Sequence, residues 1–263
     1  MMKQYQLTFQ KNIRDLGGLV GYQGKKIKYG KLFRGGALIK VKEEDVPIIE
    51  SFHLTDVVDF RTSVEFEYRP DYRLEGVRYH NLSALKEEEH HKGNKEVQLN
   101  EDGNLLWFIK EGDNGFGHLK RTYDHFVTTE EGIKAFKDFF KLLELPEDNV
   151  IYFHCSQGKD RAGFAAYLIE TALGVSYEDA MEDYLLSNEA MEMRVDILLK
   201  SVEDKPFFNE EYRQSLFDVF SAKKEYLDSV INKMDELYGG TINFIKDFLE
   251  VDIDKLRDKY LEK

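Results

Sequence analysis

The chain has 263 residues, 42% of them hydrophobic, with 19 Phe and 15 Tyr, enough apolar material for a sizeable core, which excludes disorder as the dominant state. A formal net charge of −13 argues against nucleic acid or an anionic membrane surface as a non-specific partner, yet is compatible with a local basic pocket for one phosphate. The one cysteine excludes an intrachain disulfide and any mechanism that needs a second, resolving thiol.

The N-terminal MMKQYQLTFQKN has no apolar signal core, and no run approaches the ~18 apolar residues of a membrane span, so a cytoplasmic chain without membrane insertion is expected. Up to residue 40 the sequence predicts turns and short strands, with Gly17–Gly18 and Gly35–Gly36 as turn points. LTDVVDF (54–60) predicts a buried strand, and VRYHNL (77–82) a second, its Val77 and Tyr79 alternating with Arg78 and His80. Residues 86–118 are charged and glycine-rich around one apolar patch that carries Trp107, and predict a loop excursion. TTEEGIKAFKDFFKLLE predicts a helix with Thr128 and Glu131 as its capping box and Ile133, Phe136, Phe140 and Leu143 on one face.

NVIYF (149–153) then predicts a buried strand that runs into Cys155, and RAGFAAYLIETAL a helix apolar almost all round, ended by Gly174. Ser176 and Asp179 cap the helical stretch that follows, and residues 207–260 are expected to be helical throughout, with Ile242, Ile245 and Leu249 as a late apolar stripe. No repeat and no Gly-, Ser- or Pro-rich linker divides the chain. We therefore expect one domain over residues 1–263, with 190–235 as a helical lid or insertion. Strands early, helices late and a strand–loop–helix between them predict an α/β sandwich around a mostly parallel sheet.

The stretch VIYFHCSQGKDRAG (150–163) carries the chemistry. A cysteine at the C-terminal end of a buried strand, followed by a short loop and a helix, stands where α/β folds place their ligands. If the five residues Ser156, Gln157, Gly158, Lys159 and Asp160 curl into a nest, their N–H groups converge into a cradle for a tetrahedral oxyanion. The helix N-terminus aims partial positive charge at the same point, and Arg161 offers a planar guanidinium that grips two phosphate oxygens. The same field favours a thiolate, a ready nucleophile. Displacement of a phosphate ester also needs an acid for the departing oxygen, for which Asp160 and Asp59 both qualify. His154, on the opposite side of the strand end, is expected to orient the loop. No cofactor or metal is required, and His90–His91 are expected to be solvated rather than ligating. A Walker loop is excluded, because GKD lacks the Ser or Thr after Lys and Phe153 stands where its first glycine belongs. An inert core cysteine is the structural alternative. A catalytically inactive phospho-ligand binder is the functional one, and sulfur transfer or arsenate reduction a third.

HCSQGKDRAG resembles the signature loop of the protein tyrosine phosphatases, and among them the bacterial and fungal tyrosine/serine phosphatases with a Gly-Lys-Asp-Arg loop. NIRDLGG (12–18), LFRGGAL (32–38), DFRTSVEFEYRPD (59–71), DYLLSN (183–188) and YGGTINFI (238–245) are similar to further elements of that family. The resemblance implies a three-layer phosphatase fold with a C-terminal helical cover, Cys155 as nucleophile, Arg161 as phosphate clamp and Asp160 as general acid, with Asp59 holding the loop in shape. It implies phosphotyrosine as substrate, inorganic phosphate as product, and a wider range of phosphoserine, phosphothreonine and phosphoinositides associated with Lys159. Phe60, Gly35 and Ala162 depart from the usual Leu, Ser, and Thr or Ser. The last removes a hydroxyl that would stabilise the leaving thiolate, which predicts slower breakdown of the intermediate. Arg14 and Asp15 are expected to pair with each other on a turn, and Arg61 and Arg69 to be solvated.

Overall fold

A computed structural model describes residues 3–86, 115–205 and 208–263. Six strands form one sheet: β1 (Lys3–Tyr5), β2 (Ile13–Asp15), β3 (Leu32–Gly36), β4 (Asp56–Asp59), β5 (Arg78–Asn81) and β6 (Ile151–Cys155). Their order is β1-β2-β3-β6-β4-β5. The β1–β2 and β2–β3 pairs are antiparallel and the remaining three are parallel, so β6 lies inside the sheet with a parallel neighbour on each side. Strand alternation divides β6 between two cores. Ile151, Phe153 and Cys155 enter the larger apolar cluster, and Tyr152 enters a smaller one with Phe33, Ile49, Phe52 and Val57.

Two short helices, α1 (Val46–Glu50) and α2 (Ser63–Tyr68), follow β3 and β4. α3 (Gly115–Thr128) and α4 (Glu130–Leu143) precede β6. The excursion expected over 86–118 thus ends in helix from Gly115, and its residues 87–114, with Trp107, lie outside the described residues. The cap of α4 is Thr129, which accepts from Gly132 N at 3.2 Å, one residue later than predicted. Thr128 is unavailable because its hydroxyl donates to the Asp124 carbonyl of α3 at 2.8 Å. Phe136, Phe139, Phe140 and Leu143 are buried against the sheet.

α5 (Arg161–Ala172) is buried almost throughout. α6 (Tyr177–Leu185) follows, capped by Ser176, then α7 (Ser187–Val202), α8 (Glu210–Phe220) and α9 (Lys224–Tyr238). The stretch expected to be helical throughout from 207 to 260 is therefore interrupted, first between α8 and α9. α9 places Tyr226, Leu227, Val230 and Met234 in the main core, whereas α7 and α8 share a third, smaller cluster of Val195, Leu198, Leu199, Val202, Tyr212 and Leu216. That pair enters and leaves at one point: Asn188 Nδ2 donates to the Ala222 carbonyl at 3.0 Å, and Ala222 N to Asn188 Oδ1 at 2.7 Å.

The chain ends with α10 (Thr241–Asn243), a π-wound turn over Phe244–Phe248, and α11 (Ile253–Tyr260). The wider winding, with Leu249 N bonded to the Phe244 carbonyl, changes the helical register. Ile245 and Leu249 are buried, but Ile242, expected on the same stripe, is 41% exposed. Among the described residues no helix is long and apolar enough to cross a membrane.

Candidate active site

Cys155 ends β6 as a buried thiol, and α5 begins at Arg161. The intervening loop is held by its carbonyls. Ser156 O accepts from Ala37 N at 3.4 Å, Gln157 O from Asn12 Nδ2 at 2.9 Å, and Gly158 O from Arg34 Nη2 at 3.0 Å. These three carbonyl oxygens are engaged by the surrounding protein, which is compatible with a nest, a loop whose amides converge to bind an oxyanion. Gly158 has φ of +72°, and a Cβ there would lie 2.3 Å from the Gly35 carbonyl carbon, so loop and β3 backbone touch where no side chain fits.

Arg161 is oriented by Glu65. Nη1 donates to Glu65 Oε2 at 2.6 Å and Nη2 to Oε1 at 3.0 Å, while Ser156 Oγ donates to the same Oε1 at 2.6 Å. Glu65 is also the N3 partner of Thr62 in the capping box of α2. The start of α2 and the Arg161 guanidinium are thereby fixed by one carboxylate. Burial opposes the charge of Arg161, but Glu65 more than offsets it and holds the guanidinium above its ordinary range. Nη1 also lies 3.5 Å from the Phe60 carbonyl oxygen and Nη2 3.4 Å from Ser156 Oγ, so the guanidinium is held in one plane by the loop and by Glu65 together.

Beneath the loop lies a buried ionic bed. Asp183 of α6 receives Arg14 Nε at 2.6 Å, and Arg34 Nη1 on its other oxygen. Arg14 Nη1 also donates to Asn12 Oδ1 at 2.5 Å. Thus Arg14 pairs with Asp183 and not, as expected, with Asp15. Successive residues of β2 face opposite ways, and Asp15 instead accepts from Gly17 N and Gly30 N at 2.8 and 2.7 Å. Glu170 of α5 is buried nearby, and burial, then Asp183, push its carboxyl well above the usual range.

Asp59 lies apart from the loop's interior. Arg61 Nη2 donates to Asp59 Oδ2 at 2.7 Å and to Asp71 Oδ2 at 2.8 Å, and Arg61 is 2% exposed, not solvated. His154 Nε2 is 3.3 Å from Asp71 Oδ2, and Nδ1 is 3.7 Å from Asp59 Oδ1. Burial works against charge on His154, yet Asp71 and Asp59 raise it above its ordinary value. Asp59, Asp71 and His154 are close enough together to suggest a metal-ligand set. The Arg61 guanidinium already pairs with both carboxylates, so the cluster acts as a salt-bridged brace between β4, β6 and the segment after α2.

Asp160 is 24% exposed, and its Oδ1 receives the Tyr123 hydroxyl at 2.9 Å and lies 3.2 Å from Lys159 Nζ. Lys159 points away from the loop's centre. Its ammonium donates to the carbonyls of Val219 at 2.6 Å and Ser221 at 3.1 Å, at the C-terminus of α8, where the helix dipole favours a cation. Of the residues named from the sequence, Cys155 and Arg161 thus flank one loop and Ser156 to Asp160 form it, whereas Asp59 pairs with Arg61 beside His154. Glu65, Tyr123 and Asp183 carried no assigned role. The Thr62-x-x-Glu65 spacing is the one signal that could have found Glu65, as a capping box, whereas Tyr123 and Asp183 reach the site only through tertiary packing.

The family model described as "Tyrosine phosphatase family" matches residues 5–262. The chain is 28% identical over 268 residues to the protein named "Putative tyrosine-protein phosphatase" of Cupriavidus necator, an alignment that covers 95% of this chain and 85% of that one. It is 24% identical over 261 residues to the triple specificity protein phosphatase PtpB of Mycobacterium tuberculosis, covering 89% and 93%.

Proposed function

Because this chain belongs to the tyrosine phosphatase family and is a phosphatase, we propose that it hydrolyses phosphate monoesters through a phosphorylated Cys155. In this reading the Cys155 thiolate attacks phosphorus, the bond from phosphorus to the ester oxygen breaks, and Asp160 passes its proton to that oxygen. Water then attacks the cysteinyl phosphate, the Asp160 carboxylate takes its proton, and inorganic phosphate leaves as the sulfur is released. Arg161 and the amides of Ser156 to Asp160 hold the equatorial oxygens in both steps. A single observation carries the proposal: the loop between Cys155 and Arg161 has its carbonyls tied outward by Ala37, Asn12 and Arg34.

Phosphotyrosine is the substrate this reading favours, with phosphorylated protein as the partner. The triple specificity in the name of the Mycobacterium tuberculosis relative makes phosphoserine, phosphothreonine and phosphoinositides the next substrates to compare. For a second substrate phosphate to be bound by Lys159, its ammonium must first leave the Val219 and Ser221 carbonyls. Replacing Cys155 by Ser is expected to abolish turnover of p-nitrophenyl phosphate while inorganic phosphate still binds. Turnover retained by that variant would overturn the mechanism. Phosphate binding without any turnover by the unmodified protein would favour the inactive binder instead. A kinetic panel of phosphotyrosine peptide, phosphoserine peptide and inositol phospholipid ranks the substrates.

A further inference from the structure

Asp160 stands at the N-terminal boundary of α5, where an aspartate ordinarily accepts from the first helical amides and stabilises the helix. Its side chain makes no such bond. Its Oδ1 is instead tied into the protein by Tyr123 of α3, whose hydroxyl is also 2.7 Å from that of Tyr184 on α6. Both tyrosines are fully buried. A phenol carries one proton. Tyr123 gives its proton to the bond with Asp160, so Tyr184 is the donor between the two rings, and the chain runs one way: Tyr184 to Tyr123 to Asp160. Burial first, and then the charge of Asp160, keeps both phenols well above their ordinary range, so they remain neutral donors.

Building on Asp160 as the general acid, we propose that Tyr123, oriented in turn by Tyr184, is the positioning residue for that acid. The bond to Oδ1 fixes the carboxyl group and leaves Oδ2 to carry the transferable proton. When that proton passes to the ester oxygen and the phosphorus–oxygen bond breaks, negative charge appears on a carboxylate that already has a donor in place. No reorganisation is needed at that moment. Tyr123 keeps its own proton throughout. The other charged and titratable groups facing Asp160 are Lys159, on the same oxygen, Arg161 at the start of α5, and Tyr226 of α9. Tyr226 donates to the Asp218 carbonyl at 2.9 Å, so Tyr123 and Lys159 are the groups that hold the carboxylate directly.

The test measures kcat and kcat/KM against pH for the full-length chain and its variants, with p-nitrophenyl phosphate and with phenyl phosphate, whose leaving group needs its proton more. In Tyr123→Phe the basic limb is expected to move up by about one pH unit, since a donor to the ionised form is lost. Turnover of phenyl phosphate should fall about tenfold and that of p-nitrophenyl phosphate by no more than about threefold. Tyr184→Phe should move the limb the same way by less, and supplies the same readout if Tyr123→Phe folds poorly. In an Asp160→Asn background, Tyr123→Phe should add nothing to the leaving-group dependence. An unmoved basic limb with equal losses on both substrates would overturn the proposal and leave Tyr123 as packing alone. If Asp160→Asn itself left the basic limb and the leaving-group dependence unchanged, the acid assignment would fall and the positioning role with it.

Discussion

The bed under the 156–160 loop and the α7–α8 pair are each tied to that loop, but they are made of opposite materials. The bed is ionic: Asp183 holds Arg14 and Arg34, and Arg34 holds the Gly158 carbonyl. The helix pair is apolar, with its own cluster, and meets the loop where Lys159 caps α8. Buried ion pairs add little net stability, since desolvation offsets most of the attraction, but each of their bonds has a direction, whereas apolar contacts are non-directional. The difference teaches that the residues around the 156–160 loop are placed by directional bonds, while the helix pair is held by burial.

That contrast is broken most severely by Asp183→Ala, which leaves two buried guanidinium groups short of their acceptor. Loss of one partner of such a network costs about 3–5 kcal/mol, read as a lower urea midpoint together with loss of turnover. Gly158→Ala comes next. Its positive φ alone imposes about 1–3 kcal/mol of strain, and the new methyl meets the Gly35 backbone, so turnover should fall with a smaller change in midpoint. Glu65→Gln keeps the size of the side chain but weakens the pairing with Arg161. Misplacement of Arg161 should lower kcat/KM for p-nitrophenyl phosphate about tenfold to a hundredfold, and the buried guanidinium left without its carboxylate should lower the urea midpoint less than Asp183→Ala does. Leu216→Ala sharpens the other half of the comparison. It removes an isopropyl group from the helix pair, and should speed amide hydrogen exchange in α7 and α8 while p-nitrophenyl phosphate turnover stays within about twofold.

The smallest effect is a pH dependence of stability. His154 binds its proton more tightly in the fold than in the unfolded chain, because Asp71 and Asp59 outweigh its burial. Its contribution is therefore complete below the unfolded value of about 6.5 and is lost as pH rises through the higher folded one. Asp71 has the opposite sense: burial resists its ionisation, His154 and Arg61 prevail, and its contribution disappears as the solution turns acidic. The urea midpoint should decline on the alkaline side of 6.5, and His154→Gln should flatten that slope. An unchanged slope would mean that other groups produce it.

The local part of the site was legible in the sequence because strand, loop and helix follow one another directly from Val150 to Gly163. Position along the chain was enough to place Cys155, Arg161 and the loop between them. The supporting shell was not legible. Arg14 and Asp183 are 169 residues apart, and Tyr123 and Asp160 are 37 apart, so their pairing depends on how α3 and α6 pack against the sheet. Arg61 was expected in solvent because charged residues usually are, and two buried carboxylates that share its Nη2 explain its burial. The error at Thr128 was of another kind: two adjacent threonines both suit a cap, and the preceding helix had already engaged one of them.

The paired bonds between Asn188 and Ala222 bring the start and finish of a 33-residue detour side by side. A short linker across that gap would excise α7 and α8 without rerouting the rest of the backbone. The shortened protein would keep its thiol, its guanidinium and its ionic bed, but would uncover the flank of α3 near Gly115, where α8 now comes so close that even a methyl would collide with the Ser215 carbonyl. It would also release the Lys159 ammonium from the end of α8 and turn a buried cation into one open to solvent.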